Sequence, residues 1–421
     1  MKKSLFKQKN VIDIFFKITL GGTFAALLGA MILFVIAFAS LANGNENFNW
    51  LLEVFSDFSE IMNVSIEESP YIIEGASYPP LAIMILYPFA LICKGVFSKY
   101  SGLPLTVIEL NTKLLATPQF WIAISLFFLL CTACTLLLIS KKYSFRRSKF
   151  FKIAVIVITS APFAYIVIRG NVTYFALIFT MLFMLLKDSK KASVRELSYL
   201  CLAIAGSLKF YPLFFGVFLL KDKKIFASLR VAVYFFAIFF SSFFFFKTDL
   251  SNLFEFTDNL GGFMSSELRL LGHNNLSISA LLFKIIHLFA PAVTSASKLF
   301  TIPNIIVLAV VFLSCTIAAI MTKNNFSRLL ICAFTVVLIP TISYFYVLVF
   351  TVFPFLEYIK DCETMSKKKS KIYLYSFIFL YITALALPRF FLFHTLLLIG
   401  LLAYEVLGVF KNEIFNKNRL A

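Results

Sequence analysis

"WIAISLFFLLCTACTLLLIS", residues 121–140, runs twenty residues without a charged side chain. An α-helix of that length reaches about 30 Å, the thickness of the hydrocarbon core of a bilayer. It is closed at once by "KKYSFRRSK" (141–149), which carries five Lys and Arg. An apolar run ended by a basic loop recurs along the chain and sets the fold class: an all-α polytopic membrane protein. The composition agrees, with 421 residues that are 60% hydrophobic and only 14% charged, and a mean hydropathy of +0.90. A membrane β-barrel would instead show short alternating segments. The net charge of +18 does not indicate a nucleic-acid partner. Its Lys and Arg fall in short loops between spans, where they fix orientation and meet anionic lipid.

Basic clusters mark the cytoplasmic side. They are the start "MKKSLFKQKN", 141–149, "KDSKKASVR" (187–195), "KDKK" (221–224), "KNNFSR" (323–328), "KDCETMSKKKSK" (360–371) and the tail from Lys411. The run Ile18–Ala42 is too long for a signal-peptide core and is read as a retained first span. With Lys9 and Lys141 on the same side, the crossings between them must be even in number. Ile18–Ala42 and Trp121–Ser140 supply two, so Tyr78–Phe97 is expected to dip into the outer leaflet and return. Glu196–Leu220 is basic at both ends and is expected as two short halves broken at "KFYP" (209–212), with Lys209 in a cavity near mid-membrane. Further spans are expected at 150–168, 172–186, 225–247, 303–321, 328–340, 342–359, 372–388 and 395–410. The total is about twelve crossings of roughly twenty residues or fewer each, with both termini cytoplasmic. Asn274–Ala290 reads as an amphipathic interfacial helix. The Phe- and Lys-rich composition points to a bacterial inner (plasma) membrane.

One outer loop stands apart. From Asn43 to Tyr78 the chain carries seven Asp and Glu and no Lys or Arg. Within it, "WLLEVFSDFSEIM" (50–62) has helical apolar spacing and reads as a helix lying on the outer surface. Glu53 and Glu60 are placed on its solvated face. Asp57 is either solvated too or functional. Charged groups at membrane depth are costly and mark function more often than elsewhere. Arg169 sits in a tight outer turn, "IVIRGNVTY", where it either touches lipid headgroups or holds an anion. Lys209 either snorkels or lines a cavity. Arg269 and His273 lie together in an outer loop, as structural or binding groups.

One carboxylate with several cations suits a particular reaction. A glycoside needs a second carboxyl to protonate its leaving alkoxide. A sugar on a lipid phosphate leaves with a phosphate, which cations stabilise without a proton. A single base on the acceptor hydroxyl is then enough.

"SDF" (56–58), "YPPLAIMILYPFA" (78–90), "RGNVTYFALIFTMLF" (169–183), "LAIAGSLKFYPLFFGVFLLKDKK" (202–224), "GHNNLSISALL" (272–282) and "IPTISYFYVLVFTVFPFL" (339–356) follow one another in the chain. In that order they resemble glycosyltransferase family 87, which is similar to the polyprenol-phosphate-mannose-dependent mannosyltransferases of the GT-C superfamily. The resemblance covers roughly residues 15 to 360. It implies a GT-C-like bundle with outer-face interfacial helices and a catalytic loop at 43–78, followed by a two-span extension at 361–421, all in one transmembrane domain. It implies Asp57 as the catalytic acid position and Tyr78, Pro79 and Pro80 as the Tyr-Pro-Pro signature. Gly170 and Asn171 match a Gly-Gln pair, with Asn one methylene shorter. Lys209 matches the family's lysine, and Asn274, Asn275 and Ser277 match a Gly-Asn-Gln-Ser pattern. "RGNVT" has no acid, so no metal and no cofactor is expected.

The leading expectation is therefore an inverting hexosyltransferase. It would move a sugar such as mannose from a polyprenyl-phosphate donor to a glycolipid or glycan acceptor at the outer face, with Asp57 as general base. Substrate contacts are expected from Tyr78, Pro79, Pro80, Arg169, Asn171, Lys209, Arg269, His273, Asn274 and Asn275. The alternatives are an O-antigen ligase or polymerase type of enzyme, and a non-enzymatic translocase of lipid-linked sugars.

Overall fold

The computed structural model describes residues 10–22, 54–72, 76–100, 107–247, 251–382 and 391–417. The expected first span, 18–42, lies mostly outside them, as do 383–388 of the 372–388 span. The described chain is all helix and loop, with about twenty helices and no strand. A single isolated bridge joins Asn275 to Tyr344.

Four helices are long and apolar enough to cross a membrane: Pro118–Lys142, Ile225–Phe245, Lys298–Met321 and Leu392–Asn412. Their outer faces are lined by large apolar side chains that no protein covers. Leu129 is 70% exposed, Phe226 81% and Ile305 65%. Exposure on that scale on every long helix fits lipid as the solvent, since monomeric soluble proteins do not tolerate such patches. The molecule is an integral membrane protein by this measure.

Among the described residues, long helices thus supply four candidate crossings, or five with a bent pair; the twelve expected also include 18–42 and 372–388, which lie mostly or partly outside those residues. Other expected spans are shorter or broken for local reasons. Residues 150–168 are not one straight span. Arg147–Thr159 and Ala161–Arg169 meet at 51°, with Ser160 extended and Pro162 in the first turn of the second helix. A proline cannot donate to the ladder, and its ring clashes with the carbonyl four residues back. The 342–359 segment begins as a 3-10 helix, Phe345–Thr351, before the α-helix Val352–Asp361. Pro80–Ile92 and Thr173–Leu186 are apolar but have only 13 and 14 residues, about 20 Å at 1.5 Å per residue.

The break expected at "KFYP" is present. Ala192–Leu208 stops at Lys209, whose backbone is extended (φ −153°, ψ 129°), and a 3-10 turn, Tyr211–Gly216, leads into Val217–Lys221. The first half is seventeen residues. At the centre lies Asn325–Leu338, buried at every position from Phe326 to Leu338. Its near-continuous apolar sequence suits a helix enclosed on all sides. The Phe391–Lys417 helix and the 3-10 helix Phe345–Thr351 pack on it.

Candidate active site

The helix Ser56–Ser65 is shifted from the expected 50–62 and does not lie on the surface. Eight of its ten residues are buried. Phe58 sits edge-on to Phe89 and Phe120 and against Phe127, 5.2–6.0 Å between centroids. Three polar ties fix where the helix begins. Phe55 takes a left-handed conformation (φ 63°) and donates its backbone N–H to the Ile168 carbonyl at 2.7 Å. Buried Asn111 donates to the Val54 carbonyl at 2.8 Å and accepts from Ser59 Oγ at 2.9 Å.

This placement brings Asp57 to the turn after the Ala161–Arg169 helix. Asp57 is 5% exposed. Arg169 Nη2 donates to its Oδ1, and Asn171 Nδ2 donates to its Oδ2 at 2.7 Å. Asn171 Oδ1 in turn accepts from the Thr173 backbone N–H at 2.9 Å. Gly170, between the two donors, has φ +64°, and a Cβ there would lie 2.6 Å from Phe58 Cβ. Only glycine lets the turn press against the Asp57 helix in that conformation.

Lys209 lies across from this group. Its Nζ stands 4.3 Å from the centre of the Tyr78 ring, a cation–π contact. Tyr78 is itself held by Tyr71, whose hydroxyl donates to the Tyr78 carbonyl at 2.8 Å. Arg269 packs on Phe263 at 4.0 Å and donates to Tyr344 Oη at 3.1 Å. Neither Lys209 nor Arg269 has a carboxylate at ion-pair distance among the described residues, so both charges remain free for an anion.

These groups share one cavity of about 1160 Å³. Asp57, Tyr78, Pro79, Arg169, Lys209, Arg269 and Asn274 line its polar part. Leu213, Phe214, Val217, Leu220, Phe235 and Phe312 also line it. Four expected contact residues do not line it. Pro80 is the buried first residue of Pro80–Ile92. Asn171 is fully buried and spends its amide on Asp57 and Thr173. His273 is exposed outside the lining. Asn275 is a staple between two loops. Its Oδ1 accepts from Ser277 N and Ser343 N at 3.1 and 3.0 Å, and its Nδ2 donates to the Arg269 carbonyl at 3.2 Å. Among the described residues, no three His, Cys, Asp or Glu side chains come together.

Glu60, expected on a solvated face, lines the cavity instead. Its i+3 spacing from Asp57 places both on one side of the helix, a signal present in the sequence. Burial first, and then the Asp57 charge, push its carboxyl up to about 7, against the lowering pull of Arg269, Arg169 and Lys209. Glu60 therefore carries a proton below that pH and a negative charge above it. An anionic ligand held by the same cations should bind less well once Glu60 ionises. The KM for such a ligand is expected to rise several-fold from about pH 6 to about pH 8, and Glu60→Gln to flatten that rise. Steady-state kinetics across this range measure it; a variant that keeps the wild-type slope removes Glu60 from the effect. The tyrosines 165, 344 and 346 also line the cavity. Tyr165 comes from the Ala161–Arg169 helix, one turn before Arg169, and Tyr344 and Tyr346 from the start of the Phe345–Thr351 3-10 helix.

A family model described as glycosyltransferase family 87 matches residues 77–341, well over half of the chain. The protein belongs to glycosyltransferase family 87. It is thus a glycosyltransferase, acting between a sugar donor and an acceptor, which sets the carrier alternative aside. The matched region is narrower than the 15–360 expected. It takes in Tyr78, Arg169, Lys209 and Arg269 but begins after Asp57 and Glu60. A comparison with curated proteins returns no match. For this family member, the cavity brings together the buried Asp57 carboxylate, two cations without a carboxylate partner among the described residues, and apolar side chains from several helices.

Proposed function

We propose that the protein is an inverting glycosyltransferase that takes a sugar from a polyprenyl-phosphate donor and passes it to a glycan or glycolipid hydroxyl. The supporting observation is the mixed lining of the cavity: Arg169, Lys209 and Arg269 with Asp57, and apolar side chains from the Tyr211–Lys221, Ile225–Ser241 and Lys298–Met321 helices. In this reading a prenyl chain lies against those apolar side chains, with its phosphate among Lys209, Arg269 and Arg169, where charge-assisted hydrogen bonds are strong. The volume exceeds that of an ordinary small-ligand pocket, about 300–1,000 Å³.

Asp57 then plays two parts in turn. With no anion between the cations, it holds Arg169; a donor phosphate draws the guanidinium toward itself and leaves Oδ1 to the acceptor. The acceptor hydroxyl loses its proton to Asp57 as its oxygen attacks the anomeric carbon. The bond from that carbon to the phosphate oxygen breaks on the opposite face, and the prenyl phosphate leaves with the electron pair, neutralised by Lys209 and Arg269. Asn171 keeps the carboxylate oriented throughout. The sugar is taken as a hexose such as mannose, and transfer as occurring on the membrane face away from the basic loops.

The test is donor choice. Protein in lipid nanodiscs is given a labelled prenyl-phosphate hexose, the matching nucleotide sugar, or a pyrophosphate-linked oligosaccharide. Transfer is expected from the first alone, with Lys209→Ala raising its KM by about tenfold or more, in line with the loss of a charged hydrogen bond. Turnover of the nucleotide sugar at a similar rate overturns the reading. Transfer from the pyrophosphate donor would favour the ligase-type alternative.

A further inference from the structure

Three consecutive helical segments after Asn171 lead to a second, basic pocket. Thr173–Leu186 starts beside Asn171 and ends at Lys187, about 20 Å further on at 1.5 Å per residue. Ala192–Leu208 returns from the same end, and Tyr211–Lys221 runs back to it. There the loops at 187–191 and 221–224 enclose a pocket of about 570 Å³. Within 187–196 and 221–230 stand eight Lys and Arg and three acids, a surplus of five positive charges.

Most of the acids are already engaged. Asp188 is met by Lys187 at 2.5 Å and Lys224 at 3.3 Å. Asp222 is met by Lys221 at 3.2 Å and Lys224 at 3.5 Å. Glu196 pairs with Arg230 and accepts from Tyr234 Oη at 3.0 Å. Arg195 clamps one loop through the carbonyls of Ser189 and Lys190, at 2.9 and 3.1 Å. Lys190 and Lys223, one on each loop, line the pocket and have no carboxylate at ion-pair distance among the described residues. They are free cations set on a frame built by the paired ones.

The rim of this pocket is apolar. Ile225 and Phe226, the first two residues of the Ile225–Ser241 helix, line it and are 61% and 81% exposed. Leu229, one turn on, is 56% exposed. Two free cations beside a greasy, uncovered helix face suit a ligand that is anionic at one end and apolar at the other. A free phosphate would satisfy the cations alone and make no use of the apolar face beside them. We infer that this pocket binds the phosphodiester headgroup of an anionic glycerophospholipid between Lys190 and Lys223, with its acyl chains against Ile225, Phe226 and Leu229. Basic pockets between membrane helices bind such headgroups, at roughly 1 kcal/mol per Lys or Arg. The site stands apart from the transfer cavity and does not depend on how transfer proceeds.

Native mass spectrometry of the detergent-purified full chain tests this with phosphatidylglycerol and phosphatidylcholine as probes. One phosphatidylglycerol is expected to bind in preference to phosphatidylcholine. The Lys190→Gln/Lys223→Gln variant should hold it roughly 30-fold more weakly, the effect of two such charges. Unchanged thermal unfolding of that variant in lipid-free detergent shows that the fold is intact. Adding Phe226→Ser should weaken the lipid further without changing sensitivity to salt. Equal binding of the two lipids, or full phosphatidylglycerol affinity in the double variant, overturns the inference. So does complete displacement by millimolar inorganic phosphate, which would make the pocket a small-anion site.

Discussion

Asp57→Asn protein is expected to fold, insert and bind donor, but to transfer sugar at least about a hundredfold more slowly, the usual range for loss of a general base being roughly 10²–10⁴. The amide keeps the shape of the carboxylate and can still accept from Asn171 Nδ2, which lies 2.7 Å from Oδ2 in the native protein. It cannot take the acceptor proton. It also leaves Arg169 without its counter-charge, and an unpaired buried cation is destabilising. With its side chain 23% exposed, Arg169 can recover part of that loss from water. Two measurements separate the effects. Donor affinity should stay within a few-fold of wild type or tighten, because the freed guanidinium is available to phosphate. Asp57→Glu restores the charge, so its unfolding temperature should return toward the native value while transfer stays low, the carboxylate being displaced by one methylene. Asn protein that turns over normally would take the base role from Asp57.

Gly170→Ala should lose about 2–4 kcal/mol of stability, with most of the activity. The left-handed backbone there costs a non-glycine residue roughly 1–2 kcal/mol, and forcing a methyl into a packed contact adds about 1–3 kcal/mol. The added atom would lie 2.6 Å from Phe58 Cβ. A Cβ cannot rotate away, so the Ser56–Ser65 helix itself must move. Phe58 is the residue after Asp57, and the movement pulls the carboxylate off Arg169 and Asn171. Phe58→Gly removes that Cβ and should relieve the clash, so the double variant is expected to fall short of additive loss in thermal unfolding, as contacting residues do. Strict additivity would mean that strain in the turn alone accounts for the cost.

The residues of the site are partly legible in the sequence alone. Asp57, Arg169 and Lys209 stand out because charge is rare at membrane depth and each breaks a local trend. Asn171 and Asn275 carry the expected pattern but serve differently, since they hold the site together and do not line it. Glu60 has a readable i+3 spacing from Asp57, but its burial, which decides its chemistry, comes from neighbours far along the chain. His273 follows Arg269 closely in sequence and yet stays outside the cavity.

By itself the sequence determined the solvent and the break after Leu208, because hydropathy, basic loops and proline act within a turn or two of the residues that carry them. The tertiary structure alone decided which charges meet. Asp57 and Arg169 are 112 residues apart, Asp57 and Asn171 are 114, and Tyr143 and its buried partner Glu357 are 214. Such pairs depend on how helices stack, on the 51° bend at Ser160 and on one glycine that admits a neighbouring helix. Packing is a property of two surfaces at once, and no single stretch of chain encodes it.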